Sequence, residues 1–255
     1  MTKNKRARQT KILSELESRP TLRVSELATR LSVSQETIRR DLDALTREGL
    51  IDRTYGGAMR RLNAEPVLNE RQMQKVPERQ AIARAALPIL RGAQHLMLGS
   101  GATTTHVARR IAQEMRDITV MNHSFATATA LALNPTIDIL MVPGRYHPSE
   151  GAMHGAETVG FLETMRADWA ILGASGLSSE GPSDVLLEAG SVYAAMARRA
   201  ERTMIVADAS KFDLVSPSSW ARWARVDVLV TDRAPGGALA EALEQASVTV
   251  EVSKA

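Results

Sequence analysis

Residues 34–42 read Ser34-Gln35-Glu36-Thr37-Ile38-Arg39-Arg40-Asp41-Leu42, and a short way downstream comes Tyr55-Gly56-Gly57. Ser34 suits a helix N-cap, because its hydroxyl accepts from an orphan backbone N–H of the first turn. Ile38, Leu42 and Leu45 recur at the i, i+4, i+7 spacing of one buried helix face. At about 100° per residue, Glu36, Arg39, Arg40, Asp43 and Arg47 fall on the other side. Two adjacent arginines on the exposed turns are what a major-groove reader needs, since a bidentate guanidinium matches the acceptor pair of guanine or clamps a phosphate. The plainer alternative is a solvated face held by an i, i+4 pair of Glu36 and Arg40. The flanking sequence weighs against it.

Upstream, residues 6–17 form a helix with Ile12, Leu13 and Leu16 inward, stopped by Pro20. Val24-Ser25-Glu26-Leu27-Ala28 opens a second helix, with Leu27, Ala28 and Leu31 inward. Ser32-Val33-Ser34 is a tight turn, so the second and third helices make a helix-turn-helix. Gly49 suits the C′ position of the third helix. Leu50–Tyr55 then reads as a strand, Gly56-Gly57 as a hairpin turn and Ala58–Arg61 as the return strand. The side chains set against DNA are Ser34, Gln35, Thr37, Arg39 and Arg40 from the helix, and Arg53, Tyr55 and Arg60 from the wing, with Arg61 beside them. For Tyr55, packing on the base of the wing is an equal alternative.

Charge follows the same division. Residues 1–61 hold 14 Lys+Arg against 8 Asp+Glu, and residues 62–255 hold 18 against 21. A basic small end on an acidic larger body suits a polyanionic partner. There is no cysteine, which excludes disulfides, thiolate metal sites and cysteine nucleophiles. No apolar run approaches the ~18–20 residues of a membrane span, and the basic start lacks a signal-peptide core. The expectation is a soluble cytoplasmic protein with no cofactor and no metal.

Lys11-Ile12-Leu13, Val24–Leu27, Val33-Ser34, Thr37–Leu42 and Arg53–Ala58 together resemble the DNA-binding domain of the DeoR family of bacterial transcription regulators. The family's Val-Ser-x-x-Thr-Ile-Arg-Arg-Asp-Leu segment and Gly-Gly wing are matched in order and spacing. The resemblance implies a winged helix-turn-helix over 1–61, a linker over 62–80, and an α/β effector-sensing domain over 81–255. That domain has a largely parallel sheet and a fold similar to sugar-phosphate isomerases.

The second half supports this on its own pattern. From Glu78 onward helices alternate with short apolar strands, the mark of an α/β domain. Gly99-Ser100-Gly101-Ala102-Thr103-Thr104 lies between a strand and a helix, where backbone N–H groups and hydroxyls cradle a phosphate. A plain tight turn is the alternative, and the Gly-Lys-Ser/Thr ending of a nucleoside-triphosphate loop is absent. Asn122-His123, Pro143-Gly144-Arg145, Gly173–Gly176 and Asp208–Phe212 follow other strands, and ligands of open α/β sheets bind outside strand carboxyl ends. Asn122, Gly144, Arg145, Ser175, Gly176 and Lys211 therefore join the loop as candidate effector contacts. Lys211 and Arg145 supply cations. A surface salt bridge is the alternative for Arg145, and a satisfied structural role for His123.

By resemblance, the Gly101–Thr104 loop and Lys211 anchor a phosphorylated sugar. The family's Asp-x-Ser-Lys-Phe motif is matched by Asp208, Ser210, Lys211 and Phe212, and Glu188 answers to a family glutamate. The sequence departs where the family often has an acid (Gly99) and a lysine (near Tyr193). The competing reading is a sugar-phosphate isomerase or deaminase carrying a DNA-binding domain. Isomerases of this type place an Asp-Glu pair where Ser175-Gly176 stands, Asp168 sits before its strand, and Asp208 is the remaining acid, so binding without turnover is expected. The whole chain reads as a homo-oligomeric repressor of a sugar-catabolic operon. It would hold double-stranded operator DNA and be released by a phosphorylated sugar.

Overall fold

The computed structural model describes residues 3–18, 21–47, 51–54, 57–60 and 66–254, with residues 3–7, 17–18, 21, 47, 52–54 and 59–60 described only by their place in an element. The chain divides into two compact units, Met1–Pro66 and Val67–Ala255.

In the first unit, α1 (Lys3–Ser18), β1 (Thr21–Arg23), α2 (Val24–Arg30) and α3 (Gln35–Arg47) precede the antiparallel pair β2 (Ile51–Thr54) and β3 (Gly57–Arg60). Ile12, Leu16, Leu27, Ile38, Leu42 and Leu45 meet in one core with Leu22, Val24, Ile51 and Ala58. The 3.6-residue pattern thus predicts all three helix faces. Strand β1 is additional: it pairs antiparallel with β3, giving the order β1-β3-β2. This changes the role of Gly57. It opens β3, opposite Thr54 and Arg23, and is not a turn residue. A Cβ there would run into the Leu22 carbonyl oxygen, so the incoming strand requires glycine. Gly49, Tyr55, Gly56 and Arg61 lie outside the described residues.

The second unit begins with α4 (Leu68–Gln72) and α5 (Val76–Ala86), which starts around Pro77. It continues with β4 (His95–Leu98), α6 (Ala102–Glu114), β5 (Thr119–Asn122), α7 (Phe125–Leu131), β6 (Asp138–Met141), β7 (Arg145–His147), β8 (Ala152–His154), α8 (Ala156–Glu163) and β9 (Ala167–Leu172). After these come β10 (Gly176–Ser178), β11 (Gly181–Asp184), α9 (Leu187–Arg199), β12 (Ala200–Val206), β13 (Ser218–Ser219), β14 (Val228–Thr231), α10 (Gly237–Gln245) and β15 (Thr249–Val252). Seven strands form one sheet in the order β15-β14-β12-β9-β4-β5-β6, every neighbouring pair parallel.

Successive strand residues feed opposite cores, as a two-residue period requires. Leu96, Leu98, Val120, Trp169, Ile171, Met204 and Val230 pack with Ile82, Val107, Ile111 and Leu131 from α5, α6 and α7. Met97, Met121, Ala170, Leu172, Ile205 and Leu229 pack with Leu162, Val192, Met196 and Leu239 from α8, α9 and α10.

Two departures from the sequence expectation matter. Residues 67–80, read as linker, belong to the second unit. There the Leu68 N–H donates to the Ser149 carbonyl at 2.9 Å, and Leu68, Arg71 and Arg79 are buried. The charged stretch carries too few apolar residues to announce this. The short hairpin β7–β8 and the small sheet β10-β11-β13 are also unanticipated, and both stand beyond the carboxyl ends of the parallel strands.

Candidate functional site

The first candidate surface is α3. The Ser34 hydroxyl caps the helix, accepting from the Thr37 N–H at 3.2 Å and lying 2.9 Å from the Thr37 hydroxyl. With Ile38, Leu42 and Leu45 turned inward, Gln35, Glu36, Arg39, Arg40 and Asp43 are exposed. Arg39 is 54% and Arg40 79% exposed, and the Glu36 carboxylate lies 3.2 Å from Arg40 Nε and 4.0 Å from Arg39 Nη1. That pair is solvated and worth a few tenths of a kcal/mol, too little to hold the guanidinium groups from an anion. Arg53 and Arg60 stand on β2 and β3, their side chains outside the described set, as is all of Tyr55.

Asp41 is different from its arginine neighbours. It is 1% exposed and forms a two-pronged ion pair with Arg8 of α1, whose guanidinium pKa is raised mainly by that hydrogen bond. The reading of α3 as a charged face passed over Asp41, because its partner lies 33 residues away. The pair ties α1 to the helix that presents Arg39 and Arg40.

The second candidate site lies at the strand ends of the parallel sheet. Loop 99–101 leaves β4, the neighbour of the central strand β9. Gly99 N–H donates to the Ile171 carbonyl at 2.9 Å, and Ser100 N–H to Nε2 of His123 at 3.1 Å. The Ser100 hydroxyl lies 2.9 Å from the Tyr193 hydroxyl, which also donates to the Ser100 carbonyl at 2.8 Å. The amides of Gly99 and Ser100 are thus committed internally. Gly101 has φ +130° and is the N-cap of α6, and its carbonyl accepts the hydroxyls of Thr104 (3.0 Å) and Thr105 (2.7 Å). What is left to an anion is the first turn of α6, Ala102 to Thr104, whose amides have no carbonyl above them, and the hydroxyl of Thr103.

Asn122 ends β5, His123 follows it, and both are wholly buried. Asn122 Oδ1 accepts from the Ser124 N–H at 3.0 Å, while its Nδ2 has no partner among the described residues. His123 Nδ1 lies 2.7 Å from the Met153 carbonyl, so with Nε2 accepting, the proton sits on Nδ1. Burial, and secondly the neighbouring His154, push its pKa down to about 3. His123 is a satisfied, neutral structural residue. His154 stacks edge-on against it at 5.2 Å and His147 lies 5.7 Å beyond. Burial, then His147, lower the His154 pKa to about 4. Among the described residues no group of acidic or histidine side chains is disposed to hold a metal.

Gly99 and Tyr193, the two departures from the family pattern, touch. A Cβ on Gly99 would meet Tyr193 Cε1 at 3.0 Å, so the tyrosine ring occupies the space over the glycine. Burial raises the Tyr193 pKa and keeps the phenol neutral. Gly144 has no room for a side chain against Thr158 and the His154 carbonyl. Arg145 opens β7 with its side chain exposed, opposite His154. Ser175 accompanies Asp184 of β11, its hydroxyl 3.3 Å from Oδ2, and the Asp184 carboxylate also accepts from the Leu186 N–H at 3.0 Å. Gly176 opens β10. Asp168 stands at the opposite end of the sheet and accepts from the amides of Gln94 (2.6 Å) and His95 (2.9 Å), which lower its pKa against the opposing effect of burial. Asp208 accepts from the Ser210 amide at 3.2 Å and faces Arg79 Nη2 at 3.5 Å. It holds the 3₁₀ turn Ala209–Lys211 in place. His154, Asp184, Arg79 and the pair Arg71–Glu150 are parts of this region that sequence reasoning missed.

Comparison with known proteins falls along the same two units. Residues 8–62 match the family described as a DeoR-like helix-turn-helix domain, and residues 74–233 the DeoR C-terminal sensor domain. The HTH-type transcriptional regulator GolR of Listeria innocua is 27% identical over 250 residues, covering 97% of this chain and 98% of the relative. The HTH-type transcriptional repressor CsqR of Escherichia coli is 27% identical over 248 residues, covering 95% and 94%. The lactose phosphotransferase system repressor of Lactococcus lactis is 27% identical over 233 residues, covering 90% and 91%. Among solved structures, a D-ribose-5-phosphate isomerase in complex with phospho-erythronic acid aligns at 17% identity and TM-score 0.40, over 55% of each chain.

Proposed function

This chain belongs to the DeoR family of helix-turn-helix transcription regulators, and on that premise we propose that it represses a sugar-catabolic operon and is released by a phosphorylated sugar bound at the strand ends of its second unit. The observation that carries the reading is the Ser34-capped helix with Arg39 and Arg40 exposed on a closed three-helix core. Ser34, Gln35, Thr37, Arg39 and Arg40 are its proposed DNA contacts, with Arg53, Tyr55 and Arg60 on the wing. Two copies on a repeated or palindromic operator would place their helices ~34–36 Å apart in successive major grooves, so a homo-oligomer of at least two chains, working in the cytoplasm, completes the proposal. Among the described residues no helix is long and apolar enough to cross a membrane.

For the effector, the first turn of α6 with Thr103 takes the phosphate, Lys211 and Arg145 add charge, and Asn122 and the Ser100–Tyr193 pair face the sugar. Catalysis is not part of the proposal. Proton transfer beside a carbonyl needs a mobile carboxylate within reach of substrate. Asp208 is held by Ser210 and Arg79, and Asp184 by Ser175 and Leu186. The test is a thermal-shift screen with ribose 5-phosphate, fructose 6-phosphate and glucosamine 6-phosphate, followed by an assay for isomer or ammonia. The proposal expects at least one stabilising ligand and no product; turnover at a useful rate would overturn it.

A further inference from the structure

Two arginines of 67–80, Arg71 and Arg79, are buried in ion pairs, and both pairs end in loops at the strand ends. Arg71, on α4, pairs through Nη2 with Glu150, the two side chains 11% and 13% exposed. Glu150 lies in the turn between β7 and β8, whose Ser149 carbonyl also receives the Leu68 N–H and whose strands carry His147 and His154. Arg79, on α5, reaches Asp208 at 3.5 Å with side chains 6% and 1% exposed, and Lys75 Nζ stands 3.8 Å from the other carboxylate oxygen. Arg79 Nη1 also donates to the carbonyls of Arg71 and of Gln74, the latter at 2.7 Å, so one guanidinium closes the end of α4 and holds the Asp208 turn. Three residues after Asp208 comes Lys211.

Burying charges in this way is a poor route to stability, because desolvation offsets most of the attraction. A buried salt-bridge network can instead carry coupling between distant sites. We infer that Arg71–Glu150 and Arg79–Asp208 are positioning contacts that link the ligand-facing loops 147–154 and 208–212 to α4, the element that follows the first unit directly in the chain. Ligand that draws Lys211 and the β7–β8 hairpin together loads both pairs at once, and α4 moves with them. The inference rests on the reading that a sugar phosphate binds at these strand ends.

The test measures ligand affinity and ligand-driven DNA release separately, on the full chain. Glu150→Gln and Arg71→Met should keep operator affinity and sugar-phosphate affinity, while the sugar phosphate needed for half-release rises roughly tenfold or more, within the usual range of coupling between two sites. The exchanged double variant Arg71→Glu/Glu150→Arg should regain the response, which also controls for a single variant that folds poorly. Equal release by wild type and both single variants would overturn the inference while leaving the proposed function intact. Parallel loss of ligand affinity and release would also overturn it, since that is a merely structural effect. A wild type that binds or releases with none of the three sugar phosphates named above would overturn both.

Discussion

The two units solve the problem of presenting polar groups in opposite ways. In the first, the groups offered to the partner are exposed and the foundation beneath them is separate: Arg40 is 79% exposed, while Asp41 beside it is 1% exposed and tied to Arg8. In the second, the groups proposed to meet a ligand are themselves part of the foundation. Ser100, Thr104 and Asn122 are buried, and the Ser100 amide, hydroxyl and carbonyl all have protein partners. Recognition and stability are therefore separable in α3 and entangled at the strand ends.

The largest test of that contrast is to remove the foundation of the first unit. Arg8→Met leaves the Asp41 carboxylate buried without its counter-ion and should destabilise that unit by roughly 3 kcal/mol or more. Scanning calorimetry of the full chain should show the transition of the first unit falling while that of the second stays put. A variant as stable as wild type would mean that Asp41 reaches water or another cation.

Acid should do the reverse. All five histidines lie in the second unit. His106 and His154 are held down to about 4 and His123 to about 3, in each case chiefly by burial. The unfolded chain takes up these protons near 6.5 and the folded chain does not. Stability is therefore full above that value and falls as pH drops through 6 toward 4. At pH 5, His123 alone should cost about 2 kcal/mol relative to pH 7. Melting of the second unit should drop over this window and that of the first should not. Equal shifts in both would break the contrast.

Smaller in stability, though not in function, is Arg40→Ala. The side chain is solvated and, among the described residues, paired only with Glu36, so melting should move by less than ~0.5 kcal/mol while operator affinity falls by roughly 1–3 kcal/mol. A gel-shift titration and a melt on the same preparation check both numbers. Unchanged affinity in both Arg39→Ala and Arg40→Ala would remove the helix from the DNA interface.

What the sequence made legible follows from range. Helix faces, the Ser34 cap and the strand alternation are local periodicities, and they are present as read. The groups that lie outside that reading depend on distant partners: Arg8 with Asp41, Gly57 with the arriving strand β1, Arg71 with Glu150. Residues 67–80 read as a linker because two of the charged side chains in them, Arg71 and Arg79, are buried against distant carboxylates that the local pattern does not announce. Gly99 and Tyr193 are 94 positions apart in the sequence, and only the fold lays the tyrosine ring over the glycine.

The most direct measurement is an anisotropy titration of labelled operator DNA with wild type, Arg40→Ala and Lys211→Ala, each with and without a stabilising sugar phosphate. Tight wild-type binding that the sugar phosphate reverses, weak binding by Arg40→Ala, and tight but irreversible binding by Lys211→Ala is the predicted result. DNA affinity that ignores both Arg40 and the sugar phosphate would contradict it.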